Sequence, residues 1–208
     1  MSIEKVNGFY VPSNDTHIND WKSGQAFTQN KCLLKFLDYC DQKNKKFNHI
    51  LDIGAWVGTW SVAMNKYCGR VLAFEPDPVH FECLTKNVPE EIETHQLAVG
   101  NEQKMICLSE DNFTQSKRVI GEGTIPMVTV DSLGINDIDV IKIDVEGYEM
   151  EVLKGATKTL ENTQYLMIEL NNNTKKYGSS NIAVEKFISS LGFTVLLDHW
   201  PDKVFYRA

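Results

Sequence analysis

Short apolar runs alternate with amphipathic stretches along most of the chain, and the two periods predict different elements. Leu33, Leu34, Leu37 and Cys40 recur at three- and four-residue spacing, which predicts a helix over 31–42. His49 to Ile53 predicts a first strand, and the helix that follows Gly58 is expected to stop near Gly69, a residue suited to a left-handed end. Arg70 to Glu75 predicts a second strand. Asp77-Pro78 then supplies a capping carboxylate and a first-turn proline for a helix running to about Asn87. Glu93 to Val99, Asp139 to Asp144 and Tyr165 to Leu170 predict three more strands. The middle one is apolar except at Lys142, as a parallel strand covered on both faces should be. Between Asn101 and Val130 the pattern is less regular. Met105 to Leu108 and Pro126 to Val130 are candidates for an extra strand pair, and Glu110 to Gly123 reads as a polar loop. A helix is expected from about Tyr148, broken around Gly155 and resumed to Asn162, and another from about Ile182 to Leu191. Phe193 to Asp198 and Lys203 to Tyr206 flank Trp200-Pro201-Asp202 as a terminal hairpin. Strands that alternate with helices until a final hairpin predict an α/β fold, its sheet mostly parallel with one antiparallel strand near the C-terminal edge.

A chain of 208 residues with 42% apolar content suits one well-buried domain, taken as residues 31–208, with residues 1–30 as an N-terminal extension whose Phe9, Tyr10, Trp21 and Phe27 pack over something. The net charge of -7 argues against broad binding to nucleic acid or anionic membrane. Lys43, Lys45 and Lys46 are explained by a solvated turn. Five cysteines without a C-x-x-C pair fit free thiols in a reducing compartment. Residues 1–11 lack the basic and apolar pattern of a signal peptide, and no run reaches the ~18 apolar residues of a membrane span. A soluble, cytoplasmic protein is expected, its oligomeric state open.

The chemistry concentrates at the carboxyl ends of the strands, outside which open α/β sheets bind their ligands. Gly54 and Gly58 allow a tight turn after the first strand, and Glu75 ends the second, where a carboxylate can accept from the hydroxyls of a ribose. A dinucleotide would need small residues where Trp56 and Thr59 stand. Asp52 would repel a pyrophosphate and suits a ligand that carries an ammonium and a sulfonium, which points to S-adenosylmethionine. Asp52, Gly54, Ala55, Gly58, Glu75, Pro76, Val99 and Asp144 are the expected cofactor contacts. Asp144, Glu146 and Glu169 are candidates to orient an acceptor hydroxyl and take its proton. The competing roles are helix capping for Glu146, an ion pair with Lys142 for Glu169, and a hydrogen bond to the cofactor's methionine end for Asp144. Asp144 and Glu169 could share a divalent metal, but neither motif has a histidine and none is required. His17, His49, His80, His95 and His199 are scattered. Asn171 to Tyr177 either recognises a hydroxyl-rich acceptor or is a solvated loop. Trp56 either lines the pocket or packs on a helix.

Asp52-Ile53-Gly54-Ala55-x-x-Gly58, Phe74-Glu75-Pro76, Val130-Asp131-Ser132-Leu133 and Lys142-Ile143-Asp144-Val145-Glu146-Gly147-x-Glu149-x-x-Val152-Leu153-Lys154-Gly155-Ala156 together resemble the FkbM family of methyltransferases, over about Ile50 to Leu170. The stretch from Asp144 to Ala156 is the most specific part. Trp56 stands where that family commonly has a small polar residue. The resemblance implies a class I methyltransferase Rossmann-like fold with a seven-stranded sheet, S-adenosylmethionine as donor, and usually methylation of oxygen on small molecules or sugars, with nitrogen as the open alternative. It also implies that Asp52, Gly54 and Glu75 touch the cofactor, and that Asp144 and Glu146 lie at its methionine end or at the acceptor. Two readings compete: a nicotinamide-dependent oxidoreductase, which Trp56, Thr59 and Asp52 oppose, and a binding protein of the same fold without activity.

Overall fold

In the computed structural model, which describes residues 2–15, 18–23, 31–109 and 117–207, the chain opens with a hairpin of β1 (Ile3–Val6) and β2 (Phe9–Pro12). Asn7 and Gly8 turn it with φ of 48° and 93°, the left-handed pair that a tight hairpin needs. The short helix α1 (Ile18–Ser23) follows, then α2 (Lys31–Gln42), β3 (Phe47–Ile53), α3 (Thr59–Asn65), β4 (Cys68–Phe74), α4 (Pro78–Asn87) and β5 (Ile92–His95). Next come β6 (Ala98–Val99), β7 (Lys104–Leu108), β8 (Val119–Val128), β9 (Ile138–Ile143), α5 (Glu149–Lys154), α6 (Thr157–Leu160) and β10 (Tyr165–Glu169). The helix α7 (Asn181–Ser190) and the strands β11 (Thr194–His199) and β12 (Asp202–Tyr206) complete it.

The main sheet has seven strands in the order β11-β12-β10-β9-β3-β4-β5. From β10 to β5 all pairs are parallel, while β12 runs antiparallel to both β10 and β11. Alternate residues of the central strands fill two cores, as the period of a strand requires. Leu51, Ile53, Ile141, Ile143 and Ile168 face one way with α5 and α7; Ile50, Val71, Val140 and Met167 face the other, under α2 and α3. A separate sheet of β6, β8 and β7 flanks this core, and the β1–β2 hairpin forms its own. Asn87 fixes that hairpin in place: its amide donates to the carbonyls of Tyr10 (2.8 Å) and Val57 (2.9 Å) and its oxygen accepts from the Tyr10 N–H.

Three local expectations need correction. Gly69 does not end a helix; α3 finishes at Asn65, and Gly69 lies inside β4, because Cys68 already pairs with Phe47. The expected strand over 93–99 is two elements, since the chain turns at Gln96-Leu97 and hands Ala98–Val99 to β8 of the second sheet. Val119 to Gly123 is strand, not loop, and lengthens the predicted pair of β7 and β8; residues 110–116 of that loop, like His17 and Phe27, lie outside the described residues. The five cysteines are free thiols. Among the described residues no helix is long and apolar enough to cross a membrane.

Candidate active site

The turn from β3 to α3 is tight because its glycines have no alternative. Gly54 has φ +78°, and a Cβ there would sit 1.8 Å from the Asp144 carbonyl oxygen, so the turn lies against the end of β9. Gly58 has φ +91°, and its missing side chain makes room for Leu84 of α4 and for Val88 just beyond it. Between them Trp56 holds a left-handed backbone (φ 51°), a conformation rare for a bulky residue and common where a site imposes it. The Glu75 carboxylate supports this turn: Oε2 accepts from the Trp56 N–H and Oε1 from the Asp77 N–H, both at 2.9 Å. Each oxygen keeps a further lone pair for a ligand. The Trp56 ring lies 5.6 Å from that of Trp21 on α1 and packs edge-on to His80, so the aromatics of the extension reach the site.

Under the turn lies a buried charge cluster. The Lys142 ammonium is 3.2 Å from Asp52 and 3.4 Å from Asp144, and it donates to the Gly54 carbonyl at 3.0 Å. Burial opposes the charge on Lys142, but Asp52 and Asp144 outweigh it and raise the pKa of the ammonium. The other Asp52 oxygen accepts from the Ser61 hydroxyl at 2.6 Å. Asp52 is therefore fully enclosed and engaged from both sides.

The third part is acidic. One carboxylate oxygen each from Asp144, Glu146 and Glu169 lie within 4.8 Å of one another, close enough for one cation to take an oxygen from each. Glu146 sits at φ 56° and is followed by Gly147 at φ 109°, whose absent side chain lets the Asn173 backbone approach. The Asn173 amide donates to Glu146 at 2.8 Å, and the Asn171 amide to Glu169 at 2.7 Å and to Glu146 at 3.3 Å. Burial, and then the neighbouring Asp144, push Glu146 up to about 7. Burial followed by Asp144 and Glu146 raises Glu169 well above the ordinary carboxylate range. Asp202, the register partner of Glu169 on β12, rises to about 6 from burial and from Asp144. Glu149 behind the loop is held up at about 7 by burial and accepts from the Gly147 N–H at 2.8 Å.

These parts surround one cavity of about 530 Å³. Gly54, Ala55, Glu75, Pro76 and Val99 line it together with Asp144, Glu146 and Glu169, the last three clustered. Two expected contacts do not reach it. Asp52 points into the sheet at Lys142 and Ser61, since it shares a face with the core residue Ile50; Gly58 spends its freedom on packing against α4. The capping carboxylate of the loop is Glu149 rather than Glu146, and Lys142 pairs with Asp52 and Asp144 rather than Glu169. Asn171 and Asn173 bond to the carboxylates and do not line the cavity. Trp56 does line it.

Sequence reasoning passed over His80, Ser61 and Lys117. His80 is buried on the cavity wall, 3.7 Å from Glu75 and 3.8 Å from Asp77. Its signal was the Asp77 cap, which sets the first turn of α4 facing the site. Lys117, also on the wall, is ion-paired with Asp77. The residues present fit a cationic nucleoside. Among the described residues four carboxylates line the cavity, and its two lysines are already paired with aspartates, so hydroxyls and positive charge are welcome and a pyrophosphate is not.

The sheet order, the glycine turn and the acidic edge together define a class I methyltransferase Rossmann-like fold. The chain belongs to the FkbM methyltransferase family: the description "Methyltransferase FkbM domain" matches residues 52–195. It is 29% identical over 130 residues to the hexuronic acid methyltransferase AglP of Haloferax volcanii, covering 57% of this chain and 54% of that protein. It is 25% identical over 190 residues to methyltransferase 1 of Beauveria bassiana, covering 74% of each. Among solved structures, it resembles a methyltransferase FkbM from Methylobacillus flagellatus KT (TM-score 0.58, 19% identity, 77% of this chain and 43% of that one). It also resembles the magnesium protoporphyrin IX methyltransferase of Synechocystis PCC 6803 with bound SAM (TM-score 0.57, 10% identity, 90% and 83%). The chain thus spans about half the length of the Haloferax relative.

Proposed function

We propose that this chain is an S-adenosylmethionine-dependent methyltransferase that acts on a hydroxyl of a saccharide or a related small metabolite. The observation that carries the reading is one cavity lined by the glycine turn, the Glu75 carboxylate and three clustered carboxylates. Family membership and the name of the Haloferax relative support the reaction and the acceptor class. The net charge of -7 supports a small acceptor rather than nucleic acid or an anionic membrane. Residues 31–208 are read as one catalytic unit and residues 1–30 as its extension, which contributes Trp21 to the wall.

Bound S-adenosylmethionine supplies a methyl group on a positively charged sulfur. In this reading Glu75 would accept from the ribose hydroxyls, Gly54 and Ala55 would offer backbone groups, Pro76 and Val99 would pack on the adenosine half, and Asp144 would serve the methionine end. Glu146 and Glu169 hold the acceptor hydroxyl in line. Glu146 would take the proton of the acceptor hydroxyl, and its pKa near 7 suits a general base at neutral pH. Glu169, raised further, keeps its proton and can donate to a neighbouring acceptor oxygen. Asp52 acts indirectly, by holding Lys142 against Asp144 and the turn.

A thermal-shift comparison of S-adenosylhomocysteine, NAD and ATP tests the cofactor, because a ligand at ~100 times its Kd stabilises by about 2.7 kcal/mol. Stabilisation by S-adenosylhomocysteine is expected, and stabilisation by NAD alone would overturn the reading. Labelled methyl donor offered with a panel of glycans and small hydroxylated compounds tests the transfer. Tight S-adenosylhomocysteine binding with no labelled product from any acceptor would favour a binding protein.

A further inference from the structure

The acidic end of the cavity opens onto an apolar wall that the proposed chemistry does not use. Along β10, Tyr165, Met167 and Glu169 share one face of the sheet, the face that α2 and α3 cover. The Trp60 indole of α3 donates to the Met167 sulfur at 3.2 Å, so this side chain spans from α3 to Glu169's strand. The same cavity is lined by Leu33, Leu34 and Leu37 of α2 and Ala63 of α3. Leu33, Phe36 and Cys40 already provide the core face of α2, so Leu34 lies off that face and is 45% exposed. A leucine turned from the core into the cavity, next to Leu37 and Ala63, extends the apolar surface where a free sugar would want hydrogen-bonding groups.

We propose that the acceptor is an amphiphile: its hydroxyl-bearing head meets Glu146 and Glu169, and an alkyl or aryl group attached to that head lies along Leu34, Leu37 and Ala63. This rests on the acceptor reading above and narrows it to glycosides with an apolar aglycone. The wall and the acidic cluster line one cavity, and α2, which supplies its leucines, packs on β11 and β12, on the far side of β10 from β4 and Glu75. The donor and the aglycone therefore do not compete for the same surface. Burying apolar carbon there raises affinity with each added methylene, whereas a polar acceptor gains nothing from it.

Calorimetric titration of the S-adenosylhomocysteine-loaded protein with methyl, butyl, hexyl and octyl β-glucosides, kept below their aggregation concentrations, tests the proposal. Affinity is expected to rise by roughly tenfold or more from methyl to octyl. Leu34→Asp should remove most of that rise, with the milder Leu34→Ser as a second variant and thermal melts to verify folding of both. Affinity that stays flat along the series, or a rise that both variants retain, overturns the proposal. Labelled methyl transfer to the same compounds separates the two readings. A chain-length gain without transfer to any glucoside removes the saccharide and leaves the wall. If no glucoside binds, 4-alkylphenols are titrated in the same way: a gain with alkyl length supports the wall, and none overturns it.

Discussion

The Lys142 ammonium lies 3.2 Å from the Asp52 carboxylate, and both side chains are shut away from water between β3 and β9. Removing one partner strands the other. Lys142→Met is expected to destabilise the fold by about 3–5 kcal/mol, the usual cost of an uncompensated buried charge. The double variant Asp52→Asn/Lys142→Met should lose less than the two single losses added together. Urea unfolding of the four proteins measures the coupling, and strict additivity would mean that the pair is not an energetic unit.

Glu75 is expected to serve the turn and the donor at once. In Glu75→Gln one carboxylate oxygen becomes an amide that cannot accept from the Trp56 or Asp77 N–H. Affinity for S-adenosylhomocysteine should fall by about 1.5–3 kcal/mol, the worth of a charge-assisted hydrogen bond. Calorimetry reads this directly; unchanged affinity would remove Glu75 from donor binding.

Stability and rate should respond to pH in opposite directions. Glu146 titrates near 7 in the folded chain against an ordinary carboxylate value unfolded, so between about 4.5 and 7 the folded state binds the extra proton. Its contribution to stability is therefore present at low pH and lost as pH rises through that window. Glu149 near 7 and Asp202 near 6 act with the same sign. Glu146→Gln should stabilise the protein more at pH 8 than at pH 5 in denaturant melts. Turnover should instead rise as Glu146 loses its proton, and this acid limb should vanish in the variant.

Gly147→Ala should separate the base from its supports. The new Cβ would meet the Asn173 carbonyl oxygen at 2.5 Å, with the backbone at φ +109° besides. Asn173 must move off Glu146, and with it goes one of the donors that hold the Glu146 pKa down. A lower kcat is expected, with the acid limb displaced to higher pH. A lower kcat with the limb unmoved would show that Asn173 does not tune Glu146.

Much of this was legible because it is local. The leucine spacing of α2 and the Asp77-Pro78 start of α4 are settled by neighbours a turn away, and the strands of the sheet by continuous apolar runs. The Asn7-Gly8 turn was equally local, yet the hairpin around it went unread because its strands are only four residues each. Other features depend on distant partners. Glu93 to Val99 is uniform enough to read as one strand, and only β8 draws its last two residues into another sheet. Asp52 looked like a ligand contact because it precedes the glycine turn; its inward direction depends on Lys142 and Ser61. Asp144, Glu146 and Glu169 were readable as strand-end carboxylates, but the Asn171 and Asn173 amides that hold two of them come from a loop whose sequence shows only polarity.

Because β12 runs against its neighbours, it brings its first residue, not its last, alongside Glu169, and the backbone just before it is tied in by the Leu170 N–H bond to the Pro201 carbonyl at 2.8 Å. The strand edge beside Glu169 is thus bounded by a reversal of the chain and not by a crossover helix. Such a bend can be lengthened, shortened or rebuilt without re-threading any parallel strand. Variation at this edge can therefore proceed while the parallel strands that lead into Glu75 and Asp144 stay constant.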